Sequence, residues 1–90
     1  MILIFGGTTE GRIAIQTLEE AGKPFYYSTK GDGQDVLLHN GIRLQGAMNA
    51  TEIETFCAQH HIKLLIDAAH PFATQLHETL EQVSVESNIP

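Results

Sequence analysis

The stretch Gly6-Gly7-Thr8-Thr9-Glu10-Gly11-Arg12 limits what this chain can fold into more than any other. It follows the apolar run Ile2 to Phe5 and opens a helical pattern. A short run with no polar face suits a strand buried on both sides, as in a parallel sheet. Gly6, position 8 and Gly11 match the spacing G-x-G-x-x-G, with Thr8 in place of the middle glycine. In that arrangement the first glycine permits the tight turn and the last lets the helix pack closely on the strand. The middle one normally opens the backbone to a pyrophosphate. Thr8 closes part of that approach but brings a hydroxyl able to donate a hydrogen bond. The positive helix start and its unpaired N–H groups favour an anion there. Gly6, Gly7, Thr8, Thr9, Glu10, Gly11 and Arg12 are therefore the expected cofactor-binding loop. The competing reading is a plain glycine turn. Arg12 is placed to reach a phosphate, and Glu10 suits the helix dipole better than it suits catalysis.

The rest of the chain repeats the alternation of strand and helix. Helical spacing runs from Thr9 to Ala21, with Ile13, Ala14, Thr17, Leu18 and Ala21 expected on one side, and Gly22 as the stop. Strands are expected near 25–28, 42–45 and 62–66. Residues 34–40 read either as a short helix or as one arm of a hairpin turning at Asn40-Gly41. The helix is preferred because the other connections imply parallel strands. Asn49 or Thr51 caps the next helix, which presents Ile53, Phe56, Cys57 and His60. A last helix carries Phe72, Leu76, Leu80 and Val83, with Pro71 at its first position and His70 as its cap. Such an alternation, with right-handed crossovers, predicts an α/β, Rossmann-like doubly wound parallel sheet of strand order 3-2-1-4. Ninety residues make one domain at most and a short sheet of this kind, so residues 1–90 are expected to be a truncated first domain lacking a second.

Composition removes several functional classes. The net charge is −6 with five Lys and Arg in all, and none of them cluster, so phosphate-neutralising nucleic-acid binding is not expected, nor is binding to a membrane surface. The apolar start is too short for a signal peptide or a membrane span. Cys57 stands alone and reads as a small buried residue. A lone cysteine fits a reducing compartment, and the chain is expected to be cytoplasmic. His39, His60, His61 and His77 do not form a metal set, and His60 and His61 are expected at the surface.

The second strand bears on the cofactor. An NAD site places an acid near this strand's end to hold the ribose hydroxyls. Here the exit reads Ser28-Thr29-Lys30, two hydroxyls and a cation, which suits the 2′-phosphate of NADP. Asp32 would support NAD if the register were shifted, and an ordinary polar strand exit is the plainer alternative.

In the 3-2-1-4 order, the loops after strands one and four meet where the winding reverses, the place at which such sheets bind ligands. The loop after strand four is Asp67-Ala68-Ala69-His70-Pro71-Phe72-Ala73. Taken together, the two loops resemble the precorrin-6A reductase family, whose members begin with a strand and GGTxEGR and carry D-A-[TA]-H-P-[FY]-A after the fourth strand. The glycine motif alone is weakly specific; the pair at this separation is strongly so. Ile62-Lys63-Leu64-Leu65-Ile66 also matches, and Ala69 stands where the family more often has Thr. The resemblance implies hydride transfer from NADPH to a double bond of a tetrapyrrole, precorrin-6A or its cobalt form, in cobalamin biosynthesis. Family members are well over twice this length. His70 is the titratable candidate at the loop, as a proton donor, a substrate-orienting group or a structural histidine. Asp67 is expected to hydrogen-bond neighbouring backbone N–H groups. Another NADP-dependent reductase and a non-catalytic NADP-sensing regulator are the alternatives, although neither requires His70-Pro71-Phe72. A chain that folds but binds nothing tightly is the third.

Overall fold

The computed structural model describes residues 1–29, 40–45, 48–69 and 73–90. Strands β1 (Ile2–Phe5), β2 (Phe25–Thr29), β3 (Gly41–Gln45) and β4 (Leu64–Asp67) alternate with helices α1 (Thr9–Glu20), α2 (Ala50–Gln59) and α3 (Thr74–Ser87). The strands form one sheet of order β3-β2-β1-β4, parallel at every pairing. The expected topology is the observed one. β3 pairs in parallel with β2; the first arm of the alternative hairpin at Asn40-Gly41 lies, but for Asn40, outside the described residues. The short helix preferred for residues 34–40 lies, but for Asn40, outside the described residues.

Asn40 and Gly41 do other work. The Asn40 backbone N–H donates to both Glu19 carboxylate oxygens at 3.0 Å, and its side-chain amide donates to the Glu19 carbonyl at 3.2 Å. The end of α1 is thereby tied to the entry of β3. At Gly41 a β-carbon would fall 2.5 Å from the Phe25 ring. That glycine exists for a neighbour's ring, not for a turn.

The sheet is covered on both faces. Successive residues of β1 point to opposite sides. Leu3 and Phe5 join Ile53, Cys57, Ile62, Leu80 and Val83 in the core under α2 and α3. Ile4 joins Ile15, Phe25 and Tyr27 under α1. The α1 face differs from the expectation. Gly11 and Ile15 are buried, Ala14 and Leu18 are half-buried, and Ile13, Thr17 and Ala21 are exposed, Ile13 at 60%. The buried set 11, 14, 15, 18 keeps helical spacing. It is aligned by the contact of Gly11 with the strand-one loop, which sequence hydrophobicity does not register.

All three helices close on a left-handed residue: Gly22 at φ 68°, His61 at φ 54° and Asn88 at φ 55°. Gly22 is the expected stop. After it Lys23 N–H returns to the Leu18 carbonyl at 3.0 Å, and after His61 Ile62 N–H returns to Cys57 at 3.0 Å, the pattern that satisfies last-turn carbonyls. This closure uses Ile62, so β4 starts at Leu64, two residues later than expected. Asn49 caps α2 in a reciprocal arrangement: its side chain takes the Glu52 N–H at 2.8 Å, and Glu52 takes the Asn49 N–H at 3.0 Å.

Two expectations about histidines need correction. His60 is half-buried, its ring stacked on Phe56 at 4.2 Å and its Nδ1 3.0 Å from the Tyr26 hydroxyl; only His61 is exposed. The cap of α3 is Ala73, without a side-chain bond, so neither His70 nor Pro71 begins that helix. Cys57 is buried as expected, and burial, reinforced by the Glu54 carboxylate, pushes its thiol up. Among the described residues no helix is long and apolar enough to cross a membrane.

Candidate functional site

The site lies at the carboxyl edge of β1 and β4, where Phe5 pairs with Asp67. On the β1 side the backbone is shaped by what its glycines lack. Gly6 N–H donates to the Ser28 carbonyl at 3.0 Å, and a β-carbon on Gly6 would sit 2.3 Å from the Tyr27 ring. In this turn the positive φ falls on Gly7, at 110°, with nothing within 4 Å of where its β-carbon would be. Gly7 N–H donates to the Tyr27 hydroxyl at 3.2 Å. Tyr27, fully buried in β2, therefore sets both glycines, a role that its place in an aromatic strand does not reveal. Gly11 is buried, and its β-carbon would meet the Gly6 Cα at 3.2 Å, so the start of α1 sits directly on the loop.

Thr8 is the N-cap of α1. Its Oγ1 accepts from Gly11 N–H at 3.1 Å and donates to the Ala68 carbonyl at 2.5 Å, across 60 residues of sequence. The hydroxyl proton thus goes to the second loop instead of a phosphate. The donors that remain for an anion are the first-turn N–H groups of Thr9 and Glu10, which a helix start leaves without intrahelical partners. Thr9, Glu10 and Arg12 are exposed. Open space at Gly7 and the positive end of the helix dipole suit an anion at this helix start.

On the β4 side the backbone is held by side chains. Asp67 Oδ1 accepts from Ala69 N–H at 3.2 Å, the local bond expected of it. Its Oδ2 meets Nδ1 of His77, in the first turns of α3. Sequence reasoning sets His77 aside; a partner ten residues away, across a loop and into a helix, has no periodic signal. With Thr8 bound to Ala68, the turn 67–69 is anchored to both α1 and α3. Among the described residues no three His, Cys, Asp or Glu side chains gather as a metal site would require.

The remaining candidates are distributed unevenly. Ser28 and Thr29 end β2 beside Gly6 but are buried, each 4% exposed. Lys30 and His70 lie outside the described residues.

Fold and site together define a parallel α/β domain with a glycine-built, phosphate-compatible loop at the point where the sheet's winding reverses. The chain belongs to the precorrin-6x reductase CbiJ/CobK family, whose model matches residues 1–90. It is 28% identical over 92 residues to the cobalt-precorrin-6A reductase of Synechocystis sp., covering 99% of this chain and 35% of that protein. It is 25% identical over 92 residues to the cobalt-precorrin-6A reductase of Priestia megaterium, covering 100% of this chain and 36% of the relative. A solved CobK precorrin-6A reductase superposes with a TM-score of 0.86 at 22% identity, over 98% of this chain and 36% of that one. The chain thus spans about a third of the length of the curated relatives it matches.

Proposed function

We propose that residues 1–90 are the cofactor-binding first domain of an NADPH-dependent oxidoreductase that reduces a carbon–carbon double bond of precorrin-6A or its cobalt form. On this reading the remainder of a relative-length protein encloses the tetrapyrrole, and the 90 residues alone are inactive. The observation that carries the proposal is the β1–α1 loop: Gly7 at φ 110°, Gly11 packed on Gly6, and a helix start facing the crevice beside β4. Family membership supplies the substrate class.

In this assignment the N–H groups of Thr9 and Glu10, with Arg12, hold the pyrophosphate; Gly6, Gly7 and Thr8 shape the loop, and Gly11 brings the helix onto it. The bound dinucleotide supplies a hydride; the protein orients it and excludes competing reactions. NADP is preferred to NAD because β2 exits through Ser28-Thr29-Lys30 without an acid. Since Ser28 and Thr29 are buried, most of that preference falls to Lys30. Calorimetric titration of the relative-length protein with NADPH and NADH tests it. NADPH is expected to bind more tightly, and Lys30→Ala should weaken it by about 1–3 kcal/mol, the range for a hydrogen bond to a charged group. Equal affinities for the two cofactors would remove the NADP assignment.

A further inference from the structure

Reacting atoms must be held about 3–3.5 Å apart for transfer between them, and a misplacement of about 1 Å can cost about 10²-fold in rate. On the reductase reading, on which this inference rests, the cofactor lies against the loop after β1 and the macrocycle is presented to it across the crevice. The spacing of the two crevice walls then enters the rate. We propose that Thr8 is a positioning residue for the reaction: its hydroxyl fixes the turn at residues 67–69 to the helix start that holds the cofactor.

Thr8 stands where the dinucleotide fingerprint has its middle glycine. A glycine has no atom with which to reach the other wall; the threonine has one. Its Oγ1 accepts from Gly11 N–H at 3.1 Å and gives its proton to the Ala68 carbonyl at 2.5 Å. The cap of α1 and the bridge to the second loop are therefore one group. The backbone at Thr8 is extended, φ −128° and ψ 172°, so partners and not strain set the side chain.

The bridge ends on a residue that is itself held. Ala68 N–H donates to the Phe5 carbonyl at 2.7 Å, so Ala68 is tied to the end of β1 by its N–H and to the start of α1 by its carbonyl. Ala69 N–H returns to Asp67 Oδ1 at 3.2 Å, so Thr8 grips a turn that is already closed. The start of α1 converges on the same point. The place of a Gly11 β-carbon is 3.6 Å from Thr8 Oγ1 and 3.7 Å from the Ala68 β-carbon.

The groups assigned to the phosphate are separate from the bridge. They are first-turn N–H groups of α1, which stay in place as long as the helix start does. Glycine caps a helix nearly as well as threonine. Thr8→Gly thus removes the bridge while leaving the cofactor its contacts, and it separates a positioning role from a merely structural one.

The test uses the relative-length protein, NADPH and the precorrin macrocycle. Thr8→Gly should lower kcat by about 10–10²-fold, as a displaced wall would. The KM for NADPH and the calorimetric affinity for NADP⁺ should stay within about threefold of the parent, because the cap is nearly kept. Thr8→Ser, which retains the hydroxyl, should recover most of the lost turnover. Independently of turnover, amide hydrogen exchange at Ala68 and Ala69 should quicken by about fivefold in Thr8→Gly, as expected for one lost hydrogen bond, and much less in Thr8→Ser. Near-parental turnover by Thr8→Gly, equal losses of cofactor affinity and turnover, or unchanged exchange at Ala68 and Ala69 overturns the positioning assignment and leaves the reductase reading standing. Failure of the parent protein to oxidise NADPH with the macrocycle overturns both.

Discussion

The two loops that flank the crevice are built on opposite principles. The loop after β1 takes its shape from missing side chains: Tyr27 fills the space a Gly6 β-carbon would need, and Gly7 turns at a φ only glycine adopts freely. The loop after β4 has no glycine and is tied down by side chains instead, through Thr8 to Ala68 and through Asp67 to Ala69 and His77. A loop defined by absences resists added side chains, at Gly6 for want of space and at Gly7 for its backbone conformation, and its residues can be recognised one by one. A loop defined by pairings depends on which partners the fold brings near. One is a cradle shaped by its glycines; the other is held in place by the partners that the fold brings to it.

The sharpest way to break this contrast is to add one carbon to the first loop. Gly6→Ala should cost about 3 kcal/mol, the upper part of the range for overpacking, because the new atom would sit 2.3 Å from a fully buried ring. Chemical denaturation of the variant is the measurement. A loss under about 0.5 kcal/mol would show that Tyr27 moves aside and that the loop is not defined by the glycine.

The second expected effect lies on the link between the loops. Thr8→Ala removes a helix cap and the bond to Ala68 together, and should cost about 1–2 kcal/mol. Thr8→Ser keeps the hydroxyl and should recover most of that loss. If alanine and serine are equally destabilising in thermal unfolding, the methyl group matters and the hydroxyl bridge does not. By contrast His77→Gln, at a pair about a third exposed, should change stability by less than about 1 kcal/mol.

The same contrast separates what is legible in the sequence from what is not. The strand order, both crevice loops and the closeness of Gly11 to its strand follow from apolar runs, helical spacing and glycine positions, which are local signals. Tyr27 beneath the glycines is not legible, since an aromatic strand residue looks the same whatever it packs against. Nor is the buried face of α1, which turns from Ile13 to Ile15 because a glycine contact, invisible to hydrophobicity, sets the helix orientation. His77 escapes because its partner Asp67 lies across a loop. His70 reads as a cap because proline commonly follows one, yet the helix waits until Thr74.

The smallest effect sharpens the rule at a position where glycine is wanted and absent. His61 closes α2 at φ 54°, a left-handed conformation that costs an ordinary residue about 1–2 kcal/mol. The corresponding residue after α1 is Gly22 at φ 68°. His61 is exposed and outside the crevice, so its replacement should leave cofactor binding alone. His61→Gly relieves the left-handed strain but enlarges the freedom of the unfolded chain, a loss of about 0.4–1 kcal/mol. The two terms have opposite signs and the first is larger, so the variant should be more stable by about 0.5 kcal/mol. Gly22→Ala, the reverse change, should be less stable by a similar amount, since space is open around it and only the backbone conformation objects. Should His61→Gly destabilise instead, the histidine must be contributing an interaction of its own, and side-chain pairing would extend to helix ends as well as to the second loop.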